Sequence, residues 1–208
     1  MSASRRYAGQ SVPPVPHTPA TPDLSPDEER QVVNYVAADA QGNAFVVADR
    51  SLSNGHAWLS GDLERHTPSG EPQWTVSLEG ALVNGVASDT RGDAFALVNI
   101  PSVSLVRVSD AGGVLWRKDL DHIYTGYTLL SDSNGNAWVT GYTASFGQPN
   151  LGTVAEYSPE GGTLLGKDFV VPTYLGLLVV APMSNGGAFL VGIEDMYHPS
   201  LVIARLQP

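Results

Sequence analysis

Four copies of one octapeptide constrain this chain more than any other feature. "ADAQGNAF" (38–45), "SDTRGDAF" (88–95), "SDSNGNAW" (131–138) and the divergent "PMSNGGAF" (182–189) share a glycine in fifth place and an aromatic in eighth. Glycine takes a positive φ without steric cost, and an Asp three residues earlier can accept backbone N–H bonds across the turn. Positive φ is therefore expected at Gly42, Gly92 and Gly135. Asp39, Asp89 and Asp132 are expected to be bonded over them, with Phe45, Phe95, Trp138 and Phe189 packed between neighbouring units. The same carboxylates, with Asn43, Asp93 and Asn136, also offer oxygen ligands to Ca²⁺. Each turn brings only two such side chains where that ion takes six to eight oxygens. The reading is turn chemistry first, no cofactor, and Ca²⁺ as the minor alternative.

A second signature alternates with the first: "RHTPSGEPQW" (65–74), "RVSDAGGVLW" (107–116) and "EYSPEGGTLL" (156–165), with "ARLQP" (204–208) as its truncated start. The spacing from Gly42 to Gly70 is 28 residues, from Gly92 to Gly112 it is 20, and from Gly135 to Gly161 it is 26. The return spacings, to Gly92, Gly135 and Gly186, are 22, 23 and 25. One half of the repeat is nearly fixed and the other half carries the insertions.

Between the turns lie short apolar runs such as "NAFVVA", "DAFALV" and "LGLLVVA", apolar on both faces as strands buried between sheets are. No helical period is sustained after residue 30. A repeat of roughly 40–50 residues with four short strands is the pattern of a propeller blade. The fold expected is all-β, a small β-propeller of about four four-stranded blades with the last one incomplete. The blades fall near 31–79, 80–120, 121–169 and 170–208. Residues 1–30 hold six of the fifteen prolines and read as a Pro-rich arm or linker, in which "SPDEER" (25–30) can open one helical turn.

The turn Asp-x-x-Gly-Asn-Ala-aromatic, followed by a turn ending in "G-x-x-x-W", resembles bacterial β-propeller repeats of the SBBP and NHL type over residues 31–208. The resemblance implies a binding module, scaffold, sensor or, less often, an enzyme. It also implies a bacterial protein outside the cytoplasm, either extracellular, periplasmic or at the cell surface. The fourth copy departs from the pattern, with Met183 where the others have Asp. The missing outer strand of the last blade has three possible sources: "RRYAGQSV" (5–12), further blades of a larger ring, or the open edge of another subunit, which would allow self-association.

A net charge of −10 argues against nucleic acid and anionic lipid, which both require a basic face. No apolar run approaches the roughly 20 residues of a membrane span, so no membrane insertion is expected. The absence of cysteine excludes thiol catalysis and disulfides. His17, His56, His66, His122 and His198 stand in no metalloprotease context, and no nucleophile elbow, P-loop or dinucleotide fingerprint occurs. No catalytic or metal residue is assigned.

The loops that vary in length, "DRSLSNGHA" (49–57), "NIPSVS" (99–104), "GYTASFGQPNLG" (141–152) and "EDMYHPS" (194–200), share a face with "LDHIYTGY" (120–127) and "VPTYLG" (171–176). They gather His56, Tyr124, Tyr127, Phe146, Tyr174, Tyr197 and His198 as candidate ligand-binding residues, suited to a protein or carbohydrate partner. The alternative is that several of them fold inward and plug the channel. The expected function is a noncatalytic binding or scaffold propeller. Its rivals are a structural subunit held by the N-terminal arm and a lactonase-like enzyme using Asp121, Glu194 and Asp195.

Overall fold

The computed structural model describes residues 29–52, 58–78, 81–143, 151–170, 179–183, 187–193 and 201–206. All of their regular structure is β, in four antiparallel sheets that follow one another along the chain. The first sheet holds β1 (Glu29–Ala38), β2 (Ala44–Leu52), β3 (Trp58–His66) and β4 (Pro72–Ser77). The second holds β5 (Ala81–Ser88), β6 (Ala94–Ile100), β7 (Ser104–Val108) and β8 (Val114–Asp119). The third holds β9 (Thr125–Ser131), β10 (Ala137–Thr143), β11 (Leu151–Tyr157) and β12 (Thr163–Val170). The fourth has three strands, β13 (Val179–Pro182), β14 (Ala188–Ile193) and β15 (Leu201–Leu206). Strand order within each sheet is the chain order. The fold is a β-propeller whose last blade has three strands among the described residues.

The hairpin turns follow the expected chemistry. Gly42, Gly92 and Gly135 have φ of 84°, 87° and 81°. One oxygen of each preceding Asp accepts two backbone N–H groups, those of Gln41 and Asn43, of Arg91 and Asp93, and of Asn134 and Asn136. Met183 lacks that carboxylate, yet its N–H still reaches the Gly187 carbonyl at 2.7 Å. The backbone bond that spans the other turns is thus kept without the carboxylate.

Three of the four turn aromatics lie between blades, whereas Phe189, expected to do the same, stands 41% exposed. Phe45 packs with Leu63 against Val83 and Val86 of the second blade. Phe95 packs with Leu105 against Leu129 of the third, and Trp138 with Val154 against Val180 of the fourth. Each of the first three blades thus covers one face with the next copy of itself, which is how a repeat builds a continuous core.

One element differs from the sequence reading. β1 begins at Glu29, so the helical turn expected from "SPDEER" does not extend through its last two residues. The segment 5–12, offered as the closing strand, lies outside the described residues, as does the rest of the Pro-rich stretch up to residue 28.

Candidate functional site

Each of the first three inner strands carries a bulge at the same repeat position. Asn34 is passed over between the pairs Val33↔Ala48 and Tyr35↔Val47. Asn84 is passed over between Val83↔Val98 and Gly85↔Leu97, and Tyr127 between Thr128↔Thr140 and Gly126↔Gly141. A bulge leaves one residue out of the ladder and re-aims its side chain.

In the first and third blades that side chain meets the residue four places after the buried aromatic, and in the second the two share one acceptor. Asn34 donates to Asp49, which also accepts the N–H of Val83 in the next blade at 3.3 Å. Burial pushes the Asp49 carboxyl above the ordinary carboxylate range, only partly offset by these hydrogen bonds. In the second blade Asn84 and Asn99 both donate to the carbonyl of Gly126, at 2.9 and 3.2 Å, and Asn99 accepts the Gly126 N–H at 3.1 Å. These residues latch one blade to the inner strand of the next.

The third blade replaces amides and acid with aromatics. Tyr127 stacks on Tyr142 with ring centroids 5.6 Å apart and planes 17° from parallel. Tyr124, at the entry of β9, meets the same Tyr142 edge-on at 5.8 Å, and its N–H bonds to the Tyr142 carbonyl at 2.9 Å. Tyr127 is half-buried, and desolvation followed by the neighbouring Tyr142 pushes its phenol above the ordinary range. Tyr124 stands 66% exposed.

Beside this ladder a cleft of about 580 Å³ opens between the second and third blades. Its floor is Val103, Leu120 and Ile123, all buried. Its polar rim includes Asp121, His122 and Asp168. Backbone bonds from Leu120 to the Val103 carbonyl and from Ile123 to the Leu120 carbonyl, both 2.8 Å, fix the connection that presents Asp121 and His122. Asp168 accepts the Thr153 hydroxyl at 2.6 Å on one oxygen. A volume of this size is typical of small-molecule sites.

The structure brings together Tyr124 and Tyr127 of the seven predicted residues. His56, Phe146, Tyr174, Tyr197 and His198 lie outside the described residues, as do Glu194 and Asp195. Two corrections follow. Tyr127 is a strand residue, because β9 starts at Thr125, and it supports the ladder from within. The variable loops are also shorter than expected: Asp49–Leu52, Asn99–Ile100 and Gly141–Thr143 belong to strands whose ladders continue past the bulge. Asn99, Tyr142 and Asp168 were missed. Aligning the blades on their aromatics puts Asp49, Asn99 and Tyr142 in one column, and that column was the signal.

Among the described residues no group of three or more His, Asp or Glu is placed to hold a metal ion. No family model matches the chain, and no curated protein does. Solved structures do. The propeller domain of the trilobed protease of Pyrococcus furiosus, described as having an open velcro topology, superposes with a TM-score of 0.58 at 6% identity. The match covers 86% of this chain and 55% of that one. A protein of unknown function from Dyadobacter fermentans gives 0.53 at 12% identity, covering 86% and 66%. The major allergen Mala s 1 of Malassezia sympodialis gives 0.50 at 10%, covering 86% and 64%. The chain thus spans between 55% and 66% of the length of these structures, and the likeness is one of fold.

Proposed function

We propose that this is a noncatalytic binding propeller whose cleft between the second and third blades takes a neutral glycan. The observation that carries the reading is Tyr124, an exposed ring held by Tyr142 at the rim of a cleft whose polar groups are acceptor-rich. The face of a tyrosine offers apolar area at little conformational cost. The carboxylates of Asp121 and Asp168 accept hydrogen bonds from hydroxyls and repel anions. His122 adds a ring that donates or accepts. Sugar rings, apolar on one face and edged with hydroxyls, complement that combination. Tyr127 and Tyr142 serve as the support.

The blades belong to the SBBP or NHL type on the strength of their Asp-x-x-Gly turns, and the protein works outside the cytoplasm, where glycans are displayed. Titration calorimetry with panels of neutral and of anionic oligosaccharides tests the reading. Binding to a neutral glycan, lost in Tyr124→Ala with unchanged melting, is the expected result. Absence of binding to every neutral member of the panel, or binding indifferent to Tyr124, would overturn it.

A further inference from the structure

The interface between the first and second blades is copied between the second and third, and its two halves recur separately on the fourth and first blades. On the leading face of a blade, the turn aromatic sits opposite an arginine across the ladder: Phe45 opposite Arg65 and Phe95 opposite Arg107. Each guanidinium lies over its ring, at 5.5 and 5.4 Å from the centroid. Arg65 then donates at 2.7 Å to the carbonyl of Asp110 in the second blade, and Arg107 at 2.6 Å to that of Pro159 in the third. Trp74 and Trp116 donate to the same two carbonyls. Below them, Leu63, Leu105 and Val154 are fully buried against the following blade.

The fourth blade repeats this leading face, and there its side chains are exposed. Phe189 pairs with Arg205 across the ladder. Phe189 is 41% exposed and Ile203, in the register of Leu63 and Leu105, is 62% exposed. Arg205 is exposed as well.

The first blade shows the matching receiving face. Val36 occupies the place of Val86 and Leu129, which are 8% and 4% exposed under the preceding blade, yet Val36 is 67% exposed. Val33, in the place of the fully buried Val83, is also exposed. The turn carbonyl equivalent to those of Asp110 and Pro159 belongs to Pro68. A Cβ built on Gly112 would meet Trp74 at 2.9 Å, and one on Gly161 would meet Trp116 at 3.4 Å, whereas one on Gly70 meets nothing within 4 Å.

We propose that the leading face of the fourth blade, with Phe189, Ile203 and Arg205, docks on the receiving face of the first blade of a second copy of this chain. Arg205 takes the Pro68 carbonyl as Arg65 takes that of Asp110. Ile203 and Phe189 cover Val36 and Val33 as Leu63 and Phe45 cover Val86 and Val83. The contact is heterologous, so two copies that close on each other form one ring with two such joints. The occupant is a copy of this chain because the receiving face is cut to the repeat's own leading face, and Arg205 is the repeat's own residue for it.

The experiment is sedimentation of the 208-residue chain over a range of concentrations, with Val36→Asp blocking the receiving face and Ile203→Asp the leading face. Both positions are exposed, and melting curves confirm that each variant folds. The wild type is expected to associate reversibly, and each variant alone to associate at least about tenfold more weakly. Mixed together, the two variants are expected to form a 1:1 complex, because one partner keeps an intact leading face and the other an intact receiving face. A wild type that stays monomeric throughout overturns the proposal, whether a segment of its own chain or solvent covers Val36. Association that ignores both substitutions, or a mixture no stronger than its components, overturns it equally.

Discussion

Arg107 of the second blade donates at 2.6 Å to the carbonyl of Pro159 in the third, while its other terminal nitrogen holds Asp89 at 2.7 Å and Asp93 at 2.8 Å. One buried guanidinium thus ties together a hairpin of its own blade and a turn of the next. Breaking a buried ion pair from one side leaves an uncompensated charge, at a cost of about 3–5 kcal/mol. Arg107→Met is expected to lower the unfolding free energy by that order in a urea titration. A loss under about 1 kcal/mol, the scale of an exposed pair, would mean the contact is not buried in solution.

Glu156 stands in the third blade where the first two have Arg65 and Arg107. Burial pushes its carboxyl above the ordinary glutamate range, with the Asn136 amide opposing and Asp132 adding to the shift. A raised folded value means that stability is lost as pH rises from the ordinary value through the raised one. Glu156→Gln keeps an oxygen for Asn136 Nδ2, now 2.8 Å away, and removes the charge. The variant is expected to melt above the wild type at about pH 8 and to match it at about pH 4, below the ordinary glutamate value. Parallel melting curves at both ends would contradict the burial.

Gly70 and Gly112 separate two costs in one pair of substitutions. Both have positive φ, 88° and 85°, so alanine strains each by about 1–2 kcal/mol. Only at Gly112 does the added carbon strike the Trp74 ring. Gly112→Ala is expected to be the more destabilising, compared by denaturant midpoint at low protein concentration. Equal losses would remove Trp74 from that contact.

Asn99 satisfies both backbone groups of Gly126 across the blade boundary. Asn99→Ala leaves the N–H without that partner, at about 1–3 kcal/mol, while Asn84 still donates to the carbonyl. Hydrogen exchange at Gly126 is the local readout, and faster exchange there is expected. Unchanged protection would show that the latch carries no weight.

The turns were legible because their chemistry is local. Asp132 and the amides it accepts lie within four residues of one another, and glycine at Gly135 announces its own conformation. The staples were not legible, because Arg65 reaches a carbonyl 45 residues on and Arg107 one 52 residues on. The tyrosine ladder was hidden for a different reason. Strand alternation predicts which face a side chain takes, and the bulge at Tyr127 breaks that parity one residue from where it would be counted. Tyr124 was found because exposed aromatics in a connection stand out without any knowledge of register. Asp168 sits in a strand and gives no such sign.

The skipped residue of the inner strand has a consequence of its own. Since the ladder never pairs Asn34, Asn84 or Tyr127, their identities can be rewritten without editing a single backbone bond. Each blade therefore holds an open letter in an otherwise spelled-out word. One copy uses it to latch onto a neighbour, another to hold the Asp49 that does so, and the third to raise an aromatic wall. A duplicated architecture can in this way keep most of its copies for holding shape and let one diverge into a site.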